Sequence, residues 1–250
     1  MNNWVSAVFS PTGGTSRIAT AIAGIRMGER IDLTTPVAPR QLAPGTPFLA
    51  VLPVFGGRLP AIAVQRLKAI SAAGNPAIAV VVYGNRAYDD ALLELKDVLT
   101  SCGCRVIAAA AFIAEHSIVR SIAAGRPNAE DLETCIRFGA GIALKLSSGM
   151  ECETTSVPGN PDYRPLPHIP VTPVVTDACG GCGMCARKCP TGAIPSANPR
   201  TTEASRCILC MRCVALCPRK ARLLPPPVQE NFRTRLAASA SEPRQPELYL

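Results

Sequence analysis

Eight of the chain's twelve cysteines repeat one spacing: Cys179, Cys182, Cys185 and Cys189, then Cys207, Cys210, Cys213 and Cys217, each fourth one followed by proline. A shift of 28 positions superimposes the runs. Two-residue gaps let three sulfurs converge from a compact, mostly non-helical loop. Gly180, Gly181 and Gly183 permit a backbone tight enough to approach what those sulfurs hold and to donate N–H bonds to it. Pro190 and Pro218 then turn the chain away. The last third of the chain is therefore expected to be organised by bound metal. Zinc needs only two C-x2-C pairs per ion and gives no reason for eight cysteines in this doubled order, so it is not the expected metal.

The pattern resembles the C-x2-C-x2-C-x3-C-P runs of bacterial ferredoxins with two 4Fe-4S clusters. The resemblance implies crossed ligation, with three cysteines of one run and the fourth of the other on each cluster. It assigns Cys179, Cys182, Cys185 and Cys217 to one cluster and Cys207, Cys210, Cys213 and Cys189 to the other.

At 250 residues with 48% apolar content, the chain can build one sizeable core beside this small domain. Aromatic residues are only 4%, and the single tryptophan, Trp4, reads as core. No signal-type opening and no apolar run of membrane-spanning length is visible. A cytoplasmic protein in a reducing compartment, with no membrane role, is expected.

The net charge of +8 invites a nucleic-acid reading, which is declined. Between Cys179 and Arg222 stand Arg187, Lys188, Arg200, Arg206, Arg212, Arg219, Lys220 and Arg222 against Glu203 alone, a net of +7. Each cluster with its thiolates brings about two negative charges, so these cations first compensate cofactor charge. Arg206 and Arg212, adjoining Cys207 and Cys213, would favour the reduced cluster. A redox partner protein with an acidic docking surface is the other use for such a face.

Residues 1–148 alternate apolar runs with helical patterns, the mark of a parallel sheet covered by helices. Strands are expected at Trp4 to Phe9, Arg30 to Leu33, Phe48 to Leu52, Ala77 to Val82 and Val106 to Ile113. Helices are expected at Thr15 to Ile25, Leu59 to Ala72, Ala87 to Thr100 and Asn128 to Leu146, the last opened by Glu130 and Asp131. Residues 149–175 read as a stiff proline-rich linker, 176–224 as the cluster domain, and 225–250 as a disordered or lightly docked tail.

The first strand ends in Ser10-Pro11-Thr12-Gly13-Gly14-Thr15-Ser16 before a helix. Hydroxyls of Ser10, Thr12, Thr15 and Ser16, with Gly13 and Gly14 at a helix N-terminus, form a cradle for a terminal phosphate. The lysine of a P-loop and the G-x-G-x-x-G fingerprint are both absent. The loop resembles the T/S-x-T-G-x-T loop of flavodoxins, which bind FMN. Two further loops stand at the ends of the third and fourth strands: Pro53, Val54, Phe55, Gly56, Gly57, and Tyr83, Gly84, Asn85, with Tyr88 beyond. In a doubly wound five-stranded parallel sheet of order 2-1-3-4-5 all three meet at the topological switch point. The resemblance implies that they flank the isoalloxazine ring, with amides of Phe55 to Gly57 on its pyrimidine edge or N5 and Tyr83 or Tyr88 stacked on it. Arg58 and Arg86 depart from the acidic flavodoxin pattern; a cation near N1 would favour the anionic reduced flavin.

The whole chain thus resembles ferredoxins with an N-terminal flavodoxin-like domain. The implied fold is a flavodoxin-like α/β domain followed by a small two-cluster α+β domain. The implied function is an electron-transfer protein, in which FMN and two 4Fe-4S clusters convert two-electron to one-electron transfer. The alternative is a flavin oxidoreductase acting on a quinone or small metabolite at FMN, with the clusters as its wire. A redox sensor with structural clusters is a third reading. No hydrolytic constellation is visible, so no catalytic residue is assigned. His116, with Glu115 and Ser117 beyond the last strand, is expected to be a turn histidine, and His168 to pack in the linker. Cys102, Cys104, Cys135 and Cys152 lack ligand spacing and are expected to be buried or free thiols.

Overall fold

The computed structural model describes residues 3–149, 156–166 and 169–250. His168 and Cys152 lie outside the described residues. Strands β1 (Trp4–Val8), β2 (Met27–Asp32), β3 (Phe48–Pro53), β4 (Pro76–Tyr83) and β5 (Arg105–Ile113) pair in parallel in the order 2-1-3-4-5. This is the flavodoxin-like doubly wound arrangement the sequence leads one to expect. A sixth strand, β6 (Glu247–Tyr249), is added antiparallel along the β5 edge, with Leu248 opposite Ala110.

The inner strands are buried on both faces, which is why they read as continuous apolar runs. Alternate residues of β4 divide between two layers. Ala79, Val81 and Tyr83 pack toward α2 (Ala61–Leu67) and α3 (Ala91–Ser101), while Ile78, Val80 and Val82 pack toward α1 (Gly14–Ala23) and α4 (Ala129–Ser147). Ile107 is an extra residue in β5, where Ala77 faces Val106 and Ile78 faces Ala108. Trp4 is buried in the second layer as expected. α1 and α4 approach so closely that a Cβ on Gly139 would collide with the Ile22 carbonyl. Asn128 and Asp131 close a reciprocal capping box that starts α4.

α2 is shorter than its apolar pattern suggests. It stops at Leu67 because Ile70–Ser71 pair with Arg40–Gln41 in a two-residue ladder. α3 begins at Ala91 rather than Ala87, since Asn85 and Asp89 take positive φ in the turn before it.

The second domain is small. Val174–Val175 pair antiparallel with Arg222–Leu223, so it begins two residues earlier than the expected boundary at 176. Between them lie the short helices α5 (Met184–Arg187) and α6 (Arg212–Ala215). Its cations do not form one solvated face, because Arg222 is 3% exposed and donates to Thr202 Oγ1 and to the carbonyls of Pro199 and Thr201.

Both connecting segments are docked. In the described part of the proline-rich linker, amides of Asn160 and Arg164 donate to the Asp90 carboxylate at 2.9 and 2.7 Å. Of the two expectations for the tail, the structure shows the docked one. The tail forms α7 (Pro226–Ala237) and then β6. It is latched by Asn85, whose Nδ2 donates to the carbonyls of Ala240 and Glu242 and whose Oδ1 accepts from the Arg244 amide. Tyr88 Oη completes the latch with Glu247 and Tyr249.

Asn85→Ala removes three hydrogen bonds from a buried side chain. It should free the tail at a local cost of about 2 kcal/mol, or roughly 30-fold faster amide exchange at 240–249. Exchange in β1, β3 and β4 should be unchanged. Hydrogen-exchange mass spectrometry checks both.

Candidate functional site

A cavity of about 380 Å³ opens at the carboxyl ends of the strands, the topological switch point of the sheet. The first loop lines it with Thr12, Gly14 and Thr15, the second with Pro53 to Gly57, the third with Tyr83 and Gly84. Ten of the residues expected at a flavin site are therefore brought together. Ser10, Gly13 and Ser16 shape the loop instead. Ser10 Oγ accepts from the Ser16 amide at 3.0 Å, Ser16 Oγ accepts from Arg30, and Gly13 caps α1 at φ +102°. Gly14 lets the loop approach β5, since a Cβ there would lie 3.0 Å from Ala114 Cβ.

Phe55 and Arg58 exchange backbone hydrogen bonds around Gly56 and Gly57, both at positive φ, so these two glycines form a tight hairpin turn. The turn leaves Arg58 facing away from the cavity. Its guanidinium forks onto the Glu94 carboxylate at 2.8 and 2.9 Å and lies 4.7 Å from the Tyr163 ring centroid. The expected Arg58 cation beside the flavin is thus corrected. Arg86 does line the cavity, ion-paired with Asp89.

Asn85 and Tyr88 are also corrected as ring-flanking residues. Asn85 spends its amide on the tail. Tyr88 is buried edge-on against Tyr83, their centroids 5.4 Å apart, with its hydroxyl on Glu247. Burial first, then the Glu247 hydrogen bond, raises the Tyr88 pKa.

The loop after β5 supplies Glu115 to Ile118 to the wall. His116 is the expected turn histidine: its Nδ1 accepts from the amides of Ile118 and Val119 at 3.3 and 3.0 Å. Burial pushes its pKa down to about 4. The neutral ring therefore bears its proton on Nε2. Gly84 makes room for it, as a Cβ there would come within 2.5 Å of His116 Cδ2.

The remaining walls come from outside the α/β domain, and sequence reasoning missed them. Leu166 and Ile169 of the linker, Phe232 and Leu236 of α7, and Ile208 and Leu209 between the cysteines close the cavity. Cys207 and Cys210 line it too. The same two thiols, with Cys189 and Cys213, line a second, smaller cavity within the cysteine domain. Cys189 thus stands with the second run, as crossed ligation requires.

Burial raises the Cys207 thiol, pushes Cys210 up to about 12 and Cys213 up to about 11, with the charges of neighbouring cysteines adding to each. These three thiols cannot ionise together unless a metal supplies positive charge. The Ala221 amide donates to Cys217 Sγ at 3.2 Å, as a donor to a thiolate should. Among the described residues, no three ligating side chains gather to hold a single metal ion. A 4Fe-4S cubane takes one thiolate at each of its four irons, and a set of four cysteines suits it. Of the other set, Cys182 is exposed, Cys179, Cys185 and Cys217 are half-buried, and α5 packs on α6. Cys104 and Cys135 are buried in the two layers of the α/β core, where burial pushes each up to about 12, and Cys102 is half-buried near Cys104.

The domains are fastened through Arg66, which bridges the carbonyls of Leu33 and Pro190 at 2.9 and 2.6 Å, and Arg212, which donates to the Ser10 carbonyl at 3.2 Å. Between them Leu209, Met211 and Leu224 form a small core against Ile118 and Phe232. No helix among the described residues is long and apolar enough to cross a membrane.

Residues 178–222 match the family model of the 4Fe-4S dicluster domain. No curated protein matches the chain. Among solved structures, flavodoxin 1 from Bacillus cereus is 22% identical, covering 57% of this chain and 97% of its own, with a TM-score of 0.42. The flavodoxin of Streptococcus pneumonia TIGR4 is 19% identical over 57% and 99%, with a TM-score of 0.40. Rubredoxin oxygen:oxidoreductase from the anaerobe Desulfovibrio gigas is 12% identical over 61% and 38%, with a TM-score of 0.41. A flavodoxin-like α/β domain, defined by its strand order, is joined to a 4Fe-4S dicluster segment, and the latter points to redox electron transfer.

His116 yields a pH prediction. Its folded pKa lies below its unfolded value of about 6.5, so the unfolded chain takes up a proton first and stability falls with pH in that window. Between pH 7 and pH 5 the loss from this group should be about 2 kcal/mol, and His116→Gln should flatten that part of the profile. Urea midpoints measured across this range test it.

Proposed function

We propose that the chain is an intramolecular electron relay, with FMN in the cavity at the strand ends and two 4Fe-4S clusters beyond it. The inner cluster is held by Cys207, Cys210, Cys213 and Cys189, the outer by Cys179, Cys182, Cys185 and Cys217. The observation that carries this reading is the shared wall: Cys207 and Cys210 line both the strand-end cavity and the cysteine cavity. When bound, FMN exchanges electrons singly or in pairs and a cluster exchanges them one at a time, which suits conversion between two-electron and one-electron partners.

The chain's own residues divide the work. Thr12, Gly14 and Thr15, at the N-terminus of α1, address the phosphate without a cationic side chain. The Gly56-Gly57 turn presents backbone amides to the ring edge, and His116 offers a neutral N–H that stays a donor throughout the physiological range. Phe232 and Leu236 exclude water from the side where the two domains meet.

A cluster held by the outer set would supply the point at which electrons leave or enter. Cys182 is exposed, and guanidinium groups surround its loop: Arg187 donates to the Cys182 carbonyl, Arg200 to the Cys179 carbonyl, and Arg219 lies over Gly180. Such a rim fits a redox partner with an acidic docking surface.

The experiment is an anaerobic reductive titration of the reconstituted full chain, following flavin absorbance and cluster EPR together. It should find one FMN and about eight irons per chain, with electrons redistributing among them. Cys210→Ala should lower iron to about four while leaving FMN bound. Iron without FMN would overturn the flavin assignment, and about four irons in the unaltered protein would overturn the second cluster.

A further inference from the structure

Arg212 opens α6, between Cys210 and Cys213. Its Nη1 donates to the carbonyl of Ser10, 202 positions away, at the head of the loop that cradles the phosphate. Its Nε is buried without a partner, and the side chain lines the cavity formed by Cys189, Cys207, Cys210 and Cys213. A buried, unpaired N–H on a charged group is costly, on the order of 1–3 kcal/mol or more. Sulfur-borne negative charge in the cysteine cavity is the acceptor that would relieve it.

We propose that Arg212 couples the two redox sites, so that the charge on the phosphate loop shifts the potential of the inner cluster through its guanidinium. The inference rests on the relay reading above. A cation beside a cluster stabilises its reduced state and raises its potential. Ser10 shares the loop with Thr12 and Thr15, and its own Oγ already holds the Ser16 amide. A phosphate dianion on that loop draws the guanidinium toward Ser10 and away from the sulfurs. The inner cluster then sits at a lower potential when the loop is filled, and by linkage reduction of the cluster weakens FMN binding by the same free energy. Arg206 also adjoins a ligand, Cys207, but its side chain turns to Glu203 and to Gly192, away from the loop.

The test uses the full chain reconstituted with iron and sulfide, with and without FMN, and reads the midpoint potential of each cluster by EPR. In the unaltered protein FMN should lower the inner potential and leave the outer one in place. Arg212→Gln should lower the inner potential in the FMN-free protein and shrink its FMN-dependent shift to less than about a third. Arg212→Lys, which keeps the charge, should restore the FMN-free potential but only part of the shift, and Arg206→Gln should leave the shift intact. Equal shifts in the unaltered protein and Arg212→Gln would mean that the phosphate acts directly through space, and would overturn the coupling while the relay stands. No shift in the unaltered protein would overturn it as well. A chain that holds iron but no FMN would overturn the relay reading and the coupling together.

Discussion

The docking of the second cysteine run against the carboxyl ends of the sheet is the contact on which everything else depends. It is held at its two flanks by Arg66 and Arg212, each donating to a backbone carbonyl of the other domain. Leu209, Met211 and Leu224 fill the middle, pressed on Ile118 and Phe232. The apolar core excludes water and the guanidinium groups fix the register. Electrostatics matter more in such a dry wall than at an exposed surface. Separate flavodoxin-like and ferredoxin-type proteins would have to meet by diffusion; here the chain supplies the encounter in advance.

The α/β domain meets that contact with loops whose conformation is set by backbone needs rather than side-chain chemistry. Parallel strands end together at the switch point, and each loop there is tight. Gly14 lies close to Ala114, Gly84 yields space to His116, and the Gly56-Gly57 turn carries Arg58 off to Glu94. The cavity is consequently poor in charged groups. Arg86 is the one arginine that lines it among the described residues, and Asp89 occupies it. The cationic side chains that matter electrically stand in the other domain, around the thiols.

Much of this was legible in the residues. Buried parallel strands are apolar on both faces, so inner strands could be read from runs such as Phe48 to Leu52, while their order followed from the flavodoxin-like resemblance. The metal domain announced itself because thiolate spacing is fixed by chemistry rather than by packing. What escaped depends on partners far along the chain. Asn85 and Tyr88 stand in a loop that does border the cavity, yet both turn to residues 240–249, a pairing with no local signal. β6 has three residues, too few for a visible period, and α7 is a polar helix whose contribution to the wall is only Phe232 and Leu236. Arg58 read as a flavin-side cation because nothing local shows that Glu94, one turn into α3, would claim it. The linker's prolines suggested stiffness, but not that Asp90 would bind it down.

The central claim is that the two redox sites share a wall, and its most direct test is kinetic. The flavin of the oxidised, fully reconstituted chain is reduced by a short flash, and cluster absorbance is followed in time. The shared wall predicts a first-order transfer to a cluster whose rate does not change with protein concentration, and which is lost in Cys210→Ala. A rate that rises in proportion to concentration would show that electrons pass between molecules, and would contradict the account.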